Sequence, residues 1–224
     1  MRRLGGSFIA SLAFALVSCG PGGPHEGSIE PRHIIYLHGR IVEDQGLPAV
    51  SERYGEYRFD EIVAAFENAG FEVDAPLRDA GADPDAAARD IIELTSEILD
   101  RGVRPENITI VGASKGAYIA SVVSNQMAGP QFRYVLLAGC SESTVDSLIA
   151  GGAELHGYVL AIRDESDTQF AGSCEKLAER STNLRSYDEV VTQTGLEHGL
   201  IYAPHPDWLA PTLAFARGDS SEAR

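Results

Sequence analysis

Positive charge is scarce in this chain. Lysine and arginine total 18 against 33 aspartates and glutamates, for a formal net charge of −15. A surface of that sign repels nucleic acid and anionic lipid headgroups, so neither is expected as a charge-led partner. Cysteine is scarce too. There are three, and none has the spacing of a metal site. Neither a phosphate-cradling P-loop nor a dinucleotide-binding glycine pattern is present, and histidines do not cluster with cysteines, so no cofactor and no metal are expected. Long apolar runs are missing as well: the one at residues 8–17 is too short to span a bilayer. What is there is an apolar fraction of 44% in 224 residues, enough for the core of one domain.

The two ends read as appendages. Arg2 and Arg3 precede the apolar residues 8–17, which is the layout of a signal peptide over 1–18. The segment closes on Leu16-Val17-Ser18-Cys19, which resembles a bacterial lipobox. That resemblance implies lipidation of Cys19 and an exported, periplasmic protein held to the membrane only by its lipid. Residues 19–31, rich in glycine and proline, form a flexible tether; the globular domain is expected over 32–217, and 218–224 is a tail. In an oxidising compartment Cys140 and Cys174 are then the candidates for one disulfide.

The most informative stretch is 108–119. Ile108-Thr109-Ile110-Val111 has the pattern of a buried strand, Gly112-x-Ser114-x-Gly116 is a tight turn, and Tyr118, Ile119, Val122 and Val123 mark one face of a helix. Strand, serine at the apex of a turn, then helix is the setting of a nucleophile elbow. Glycines flank the serine because side chains there would clash where the two backbones meet.

Further strands are expected at 33–37, 71–75, 132–138, 158–162 and 187–192. Helices are expected at 57–69, from Asp83 and Pro84 to about Gly102, at 144–150, through the face made by Phe170, Cys174, Leu177 and Ala178, and at the C-terminus around Trp208, with Pro211 in or near its first turn. Residues 41–56 read as a long surface loop. Strand and helix alternate six times, which predicts a parallel sheet with its ligand site at the strands' carboxyl ends. His38-Gly39, Ser114, Asp164 with Asp167, and His198 all follow strands.

Serine, acid and histidine in that order, each after a strand, resemble the α/β-hydrolases over residues 33–217. Gly112-Ala113-Ser114-Lys115-Gly116 matches the elbow, His38-Gly39 the oxyanion loop, and Gly195-Leu196-Glu197-His198-Gly199 the histidine loop. The export signal, the Tyr36-x-His38-Gly39-Arg40 strand end and the elbow together are similar to a group of small bacterial serine hydrolases with a lipoprotein-type signal. The resemblance implies an α/β fold: a mostly parallel sheet of about six strands, helices on both faces, and a short lid or none, because only residues 139–157 separate the strand after the elbow helix from the next.

The resemblance also implies roles. Ser114 would attack a carbonyl, His198 would act as base, and Asp167 would orient it, with Asp164 as the alternative acid. The oxyanion would be held by the N–H groups of Lys115 and Arg40, the latter carried by the loop through Gly39. His38 is read as shaping that loop, and His205 as a rival base. Lys115 and Arg40 could set two cations at the pocket mouth and favour anionic substrates. The function read from these residues is that of a serine hydrolase, carboxylesterase-like, acting on a small-molecule ester or related acyl substrate. An acyltransferase with the same residues, and a non-catalytic binding protein on the same fold, are the alternatives.

Overall fold

A computed structural model describes residues 31–219; the expected signal peptide, Cys19, the tether up to residue 30 and the last five residues lie outside them. In chain order the elements are β1 (His33–Leu37), α1 (Arg40–Gln45), β2 (Ala49–Ser51), β3 (Gly55–Tyr57), α2 (Phe59–Asn68), β4 (Glu72–Asp74), α3 (Pro84–Asp100), β5 (Ile108–Ala113), α4 (Lys115–Met127), β6 (Arg133–Leu137), α5 (Glu142–Ala150), β7 (Gly157–Asp164), α6 (Glu175–Glu179), β8 (Leu184–Thr192) and α7 (Pro206–Arg217).

Every side chain of β1 and β5 is buried, and β6 follows with Tyr134 to Leu137. Such runs, apolar on both faces, suit the centre of a parallel sheet covered by helices on each side. The six main strands pair in the order β4-β1-β5-β6-β7-β8, parallel throughout. Leu37 lies opposite Gly112, and Ala113 opposite Leu137, so β1, β5 and β6 end level and their following loops share one edge.

The core divides in two across the sheet. On one side α3, α4, α5 and α6 contribute Ile91, Ile98, Ile119, Val123, Leu148 and Leu177. On the other, α1, α2 and α7 contribute Val42, Ile62, Phe66 and Trp208. At roughly 1.5–3 kcal/mol for each fully buried large side chain, these two layers hold the strand ends, and hence the loops beyond them, in place. Asp83 caps α3 by accepting from Ala86 N–H at 2.8 Å, with Pro84 at the first helical position.

Five local expectations are corrected. Residues 41–56 are not a loop: α1 occupies the start, and β2 and β3 form a small antiparallel hairpin in which Tyr57 lies opposite Ala49. Elements of three to six residues are too short to show a period. Tyr57 therefore ends a strand, and α2 begins only at Phe59. Helix α6 starts at Glu175, so Phe170 is not on its face. Phe170 lies in a turn; Cys140 then bridges Ala171, and a Cβ on Gly172 would meet the Cys140 carbonyl oxygen at 2.6 Å, which holds residues 171–173 along the β6–α5 loop. Pro211 lies inside α7, whose first-turn proline is Pro206. β7 extends to Asp164, which is thus the strand's last residue rather than part of the loop. No helix among the described residues is long and apolar enough to cross a membrane.

Candidate active site

β5 runs straight into α4, with Ser114 between them at φ 54° and ψ −116°. A positive φ on a non-glycine residue costs on the order of 1–3 kcal/mol and persists only where surrounding packing enforces it. Here the enforcement is close contact. A Cβ on Gly112 would lie 2.2 Å from the Gly116 carbonyl oxygen, and one on Gly116 would lie 2.0 Å from that of Leu37. Ser114 N–H donates to the Leu137 carbonyl at 2.8 Å, which pins the turn to β6. The Lys115 N–H opens the first turn of a 13-residue helix, where backbone donors lack intrahelical partners and the dipole end is positive.

His198 comes from a short 3-10 turn, Glu197–Tyr202, after β8. Its Nε2 lies 3.0 Å from Ser114 Oγ, and its Nδ1 lies 2.6 Å from Asp167 Oδ2. An ionised carboxylate only accepts, so Nδ1 carries the proton and Nε2 offers its lone pair to the serine hydroxyl. Asp167 Oδ1 accepts from Phe170 N–H at 3.1 Å, leaving Oδ2 turned to the imidazole. The Asp167 side chain is 1% exposed and His198 9%, so this contact is shielded from water. The rings of Phe170 and Tyr54 flank His198 with centroids at 5.0 and 6.4 Å. The arrangement can move a proton from the hydroxyl to the imidazole while keeping the imidazolium beside a negative charge.

Asp164 takes no part in that line. It accepts five hydrogen bonds, from Ser166 N–H and Oγ, Thr192 Oγ, and Thr194 N–H and Oγ. Burial alone would raise its pKa, but these donors outweigh burial and hold the carboxyl well below the usual range. Ser166 Oγ in turn accepts from Glu197 N–H at 3.1 Å. Asp164 therefore ties the Asp167 loop to the His198 loop.

The loop after β1 lies across from Ser114. A Cβ on Gly39 would sit 3.6 Å from Ser114 Cβ, and the N–H of Arg40 opens α1. His38 is fully buried, and burial with the nearby Arg78 charge lowers its pKa to about 4, so it is neutral at pH 7. Its Nδ1–H donates to the Gly39 carbonyl at 2.9 Å and its Nε2 accepts from Arg78 N–H at 3.1 Å. His38 shapes the loop, and with both ring nitrogens engaged there it is not available to the serine as a base. His205 caps α7, accepting from Asp207 N–H at 3.3 Å, and does not join the site.

Lys115 and Arg40 both line the cavity beside Ser114, as expected at the pocket mouth, and both are paired. Lys115 Nζ donates to Glu43 Oε1 and to the Ala82 carbonyl at 2.7 Å. Arg40 is 72% exposed and pairs with Asp44 at 3.4 Å. A cavity of about 450 Å³ opens beside Ser114, lined by Arg40, Tyr118, Ser141, Thr144 and Phe170 among others. Cys140 and Cys174 are joined by a disulfide, with Cα atoms 5.2 Å apart. It fastens the segment that carries Phe170 to the wall of this cavity.

The residues that pattern reading missed are Glu43, Arg78, Tyr54 and Phe170. Glu43 and Arg78 belong to no motif, and their pairing depends on two distant segments meeting. For Phe170 the apolar spacing points to a helix, but that helix starts five residues later.

No protein-family model matches the chain, and no curated protein matches it in sequence. Solved structures do match in shape. Arabidopsis thaliana SOBER1 superposes with a TM-score of 0.58 at 16% identity, over 85% of this chain and 100% of that one. A bromoperoxidase from Bacillus anthracis gives 0.54 at 13%, over 84% and 92%. A lipase-esterase related protein from Clostridium acetobutylicum gives 0.50 at 13%, over 85% and 95%. With the six-stranded parallel sheet and its two helical layers, these neighbours give the chain the α/β-hydrolase fold.

Proposed function

We propose that this chain, with its α/β-hydrolase fold, is a serine hydrolase that cleaves an ester or related acyl bond of a small molecule. The observation that carries the reading is the unbroken line Asp167–His198–Ser114, at 2.6 and 3.0 Å, with the serine held on a strained turn at a helix N-terminus.

Ser114 Oγ attacks the substrate carbonyl carbon as its proton passes to His198 Nε2. Asp167 keeps the imidazole in the needed tautomer and stabilises the imidazolium. The carbonyl oxygen becomes an oxyanion facing the N–H groups of Lys115 and Arg40, each such donor contributing typically about 2.7–4 kcal/mol to barrier lowering. Collapse expels the alcohol, which takes the proton from His198, and leaves Ser114 acylated. Water then repeats the sequence, with His198 as base, and frees the acid. The Cys140–Cys174 disulfide favours an oxidising compartment. It thereby supports the reading of residues 1–18 as an export signal; Cys19 as a lipid anchor rests on the lipobox-like Leu16-Val17-Ser18-Cys19 alone.

The test is labelling with a fluorophosphonate, which reacts with an activated serine. Wild type is expected to label and Ser114→Ala not, with ester turnover falling by about 10⁴-fold or more in the variant. Folded wild type that neither labels nor turns over p-nitrophenyl acetate refutes the proposal.

A further inference from the structure

The two backbone donors assigned to the oxyanion belong to different elements, the Arg40 N–H to α1 and the Lys115 N–H to α4. Their spacing decides whether both reach one oxygen, because donors act on the transition state only within about 2.7–3.1 Å of it. One side chain connects the two elements. Glu43 lies one turn after Arg40 in α1, and its side chain is fully buried. Its Oε1 accepts from Lys115 Nζ, and its Oε2 accepts from Arg78 Nε at 3.2 Å.

The connection continues past the carboxylate. Arg78 Nη2 donates to the His38 carbonyl, and Arg78 N–H donates to His38 Nε2 at 3.1 Å. His38 Nδ1–H donates to the carbonyl of Gly39 at 2.9 Å, which is the residue before the donor on α1. Lys115 Nζ also donates to the Ala82 carbonyl, at the far end of the segment that carries Arg78. The start of α1, residues 78–82 and the first residue of α4 are thus bound around one carboxylate. A buried carboxylate with two cationic partners is held by charge-assisted bonds, which are short and directional.

We propose that Glu43 is the positioning residue of the oxyanion site, setting the distance between the Arg40 and Lys115 backbone donors while touching neither substrate nor serine. The proposal rests on the hydrolase reading above. It makes a prediction of opposite sign to simple electrostatics. Neutralising Glu43 leaves two cations behind the oxyanion instead of a partly cancelled set. If field strength alone mattered, turnover would rise. If Glu43 sets geometry, turnover falls.

The test uses the full chain, with kcat and KM for p-nitrophenyl acetate and the inhibition constant of phenylboronic acid, which forms a tetrahedral adduct on a serine. Glu43→Gln is expected to lower kcat on the order of 10- to 100-fold, with KM within about twofold and boronate affinity falling in parallel with kcat. Because Glu43→Gln leaves Arg78 buried without its charge partner, Lys115→Met is measured alongside. That variant keeps the Glu43–Arg78 pair and cuts the tie to α4, and it is expected to lower kcat in the same manner by a smaller factor. Both variants are checked for native circular dichroism. Unchanged or raised kcat in folded Lys115→Met, or boronate affinity that stays constant while kcat falls, overturns the proposal. Fluorophosphonate labelling of wild type separates the two readings. Labelled, active wild type with unaffected variants removes the role of Glu43 alone, whereas unlabelled, inactive wild type removes the hydrolase reading beneath it.

Discussion

Asp164 and Asp167 stand three residues apart on one strand end, and replacing each with asparagine should have opposite consequences. Asp164 is 1% exposed and accepts five hydrogen bonds, two at Oδ1 and three at Oδ2. Asparagine offers one accepting oxygen, and its amide nitrogen must face donors. With the amide toward Ser166, the Ser166 N–H loses its acceptor; with it toward the threonines, the Thr194 N–H does. Each hydrogen bond to a charged group contributes about 1.5–3 kcal/mol, and a buried donor left unpaired costs a further amount of the same order. Asp164→Asn should therefore destabilise the fold by about 3–5 kcal/mol at pH 7. The sign with pH follows from the depressed pKa. The carboxylate's contribution is fully present above the unfolded value of about 3.9 and is lost as pH falls below it, so variant and wild type converge in acid. Asp167→Asn should do the reverse: stability changes little, but the wrong imidazole tautomer lowers kcat by about 10⁴-fold. Urea unfolding followed by circular dichroism, with ester turnover on the same samples, reads both. Asp164→Asn that stays as stable as wild type but loses turnover to the extent of Ser114→Ala, beside an active Asp167→Asn, would show the acid assignment to be inverted.

Two further outcomes are expected. Changing both Cys140 and Cys174 to serine opens a loop of 34 residues; chain entropy puts the loss at about 4 kcal/mol, measurable by urea unfolding, and kcat should drop as the Phe170 N–H loses its fixed position against Asp167. Intact wild type retaining two free thiols at these positions by non-reducing mass spectrometry would rule the link out. His38 has a folded pKa of about 4, below its unfolded value near 6.5, so the unfolded chain binds the extra proton first. Wild type should lose up to about 3 kcal/mol between pH 6.5 and 4, and His38→Asn should flatten that slope; equal slopes in the two proteins would refute the neutral, buried assignment.

How far the fold could be read in advance follows element length and burial. β1, β5 and α3 were recognisable because burial on both faces, or a cap with proline and a long amphipathic period, writes the element into consecutive residues. The hairpin Ala49–Ser51/Gly55–Tyr57 was not, because three residues show no period and its stability comes from packing: Tyr54 and Tyr57 lie against Tyr202, with ring centroids at 5.4 and 5.1 Å. Phe170 is a related case: the spacing of Phe170, Cys174, Leu177 and Ala178 suits one helical face, but the Cys140–Cys174 link and the Cys140–Ala171 bridge override local preference.

The candidate site divides along the same line. Ser114 sits in a turn whose glycines are required by contacts a side chain could not enter, and His198 lies in a loop opened by Gly195, whose φ of 72° favours glycine, so local sequence carried their positions. The choice between Asp164 and Asp167 could not be local. Both are acids at one strand end, and what separates them is which partners reach each: hydroxyls and N–H groups from β8 and its loop surround Asp164, while an imidazole reaches Asp167. Glu43 shows the same dependence more sharply. In sequence it is one acid among 33, and it becomes consequential only because α1, the segment after β4 and the start of α4 converge on it with opposite charge. On the proposed reading, two carboxylates outside the Asp167–His198–Ser114 line hold the two halves of the site, Asp164 the acid and histidine loops and Glu43 the elements bearing the oxyanion donors. A buried carboxylate without its donors would cost more than it returned, so each persists because the loops it joins supply them. Loss of either should therefore be felt first in the spacing of those loops, and only through that spacing in the chemistry at Ser114.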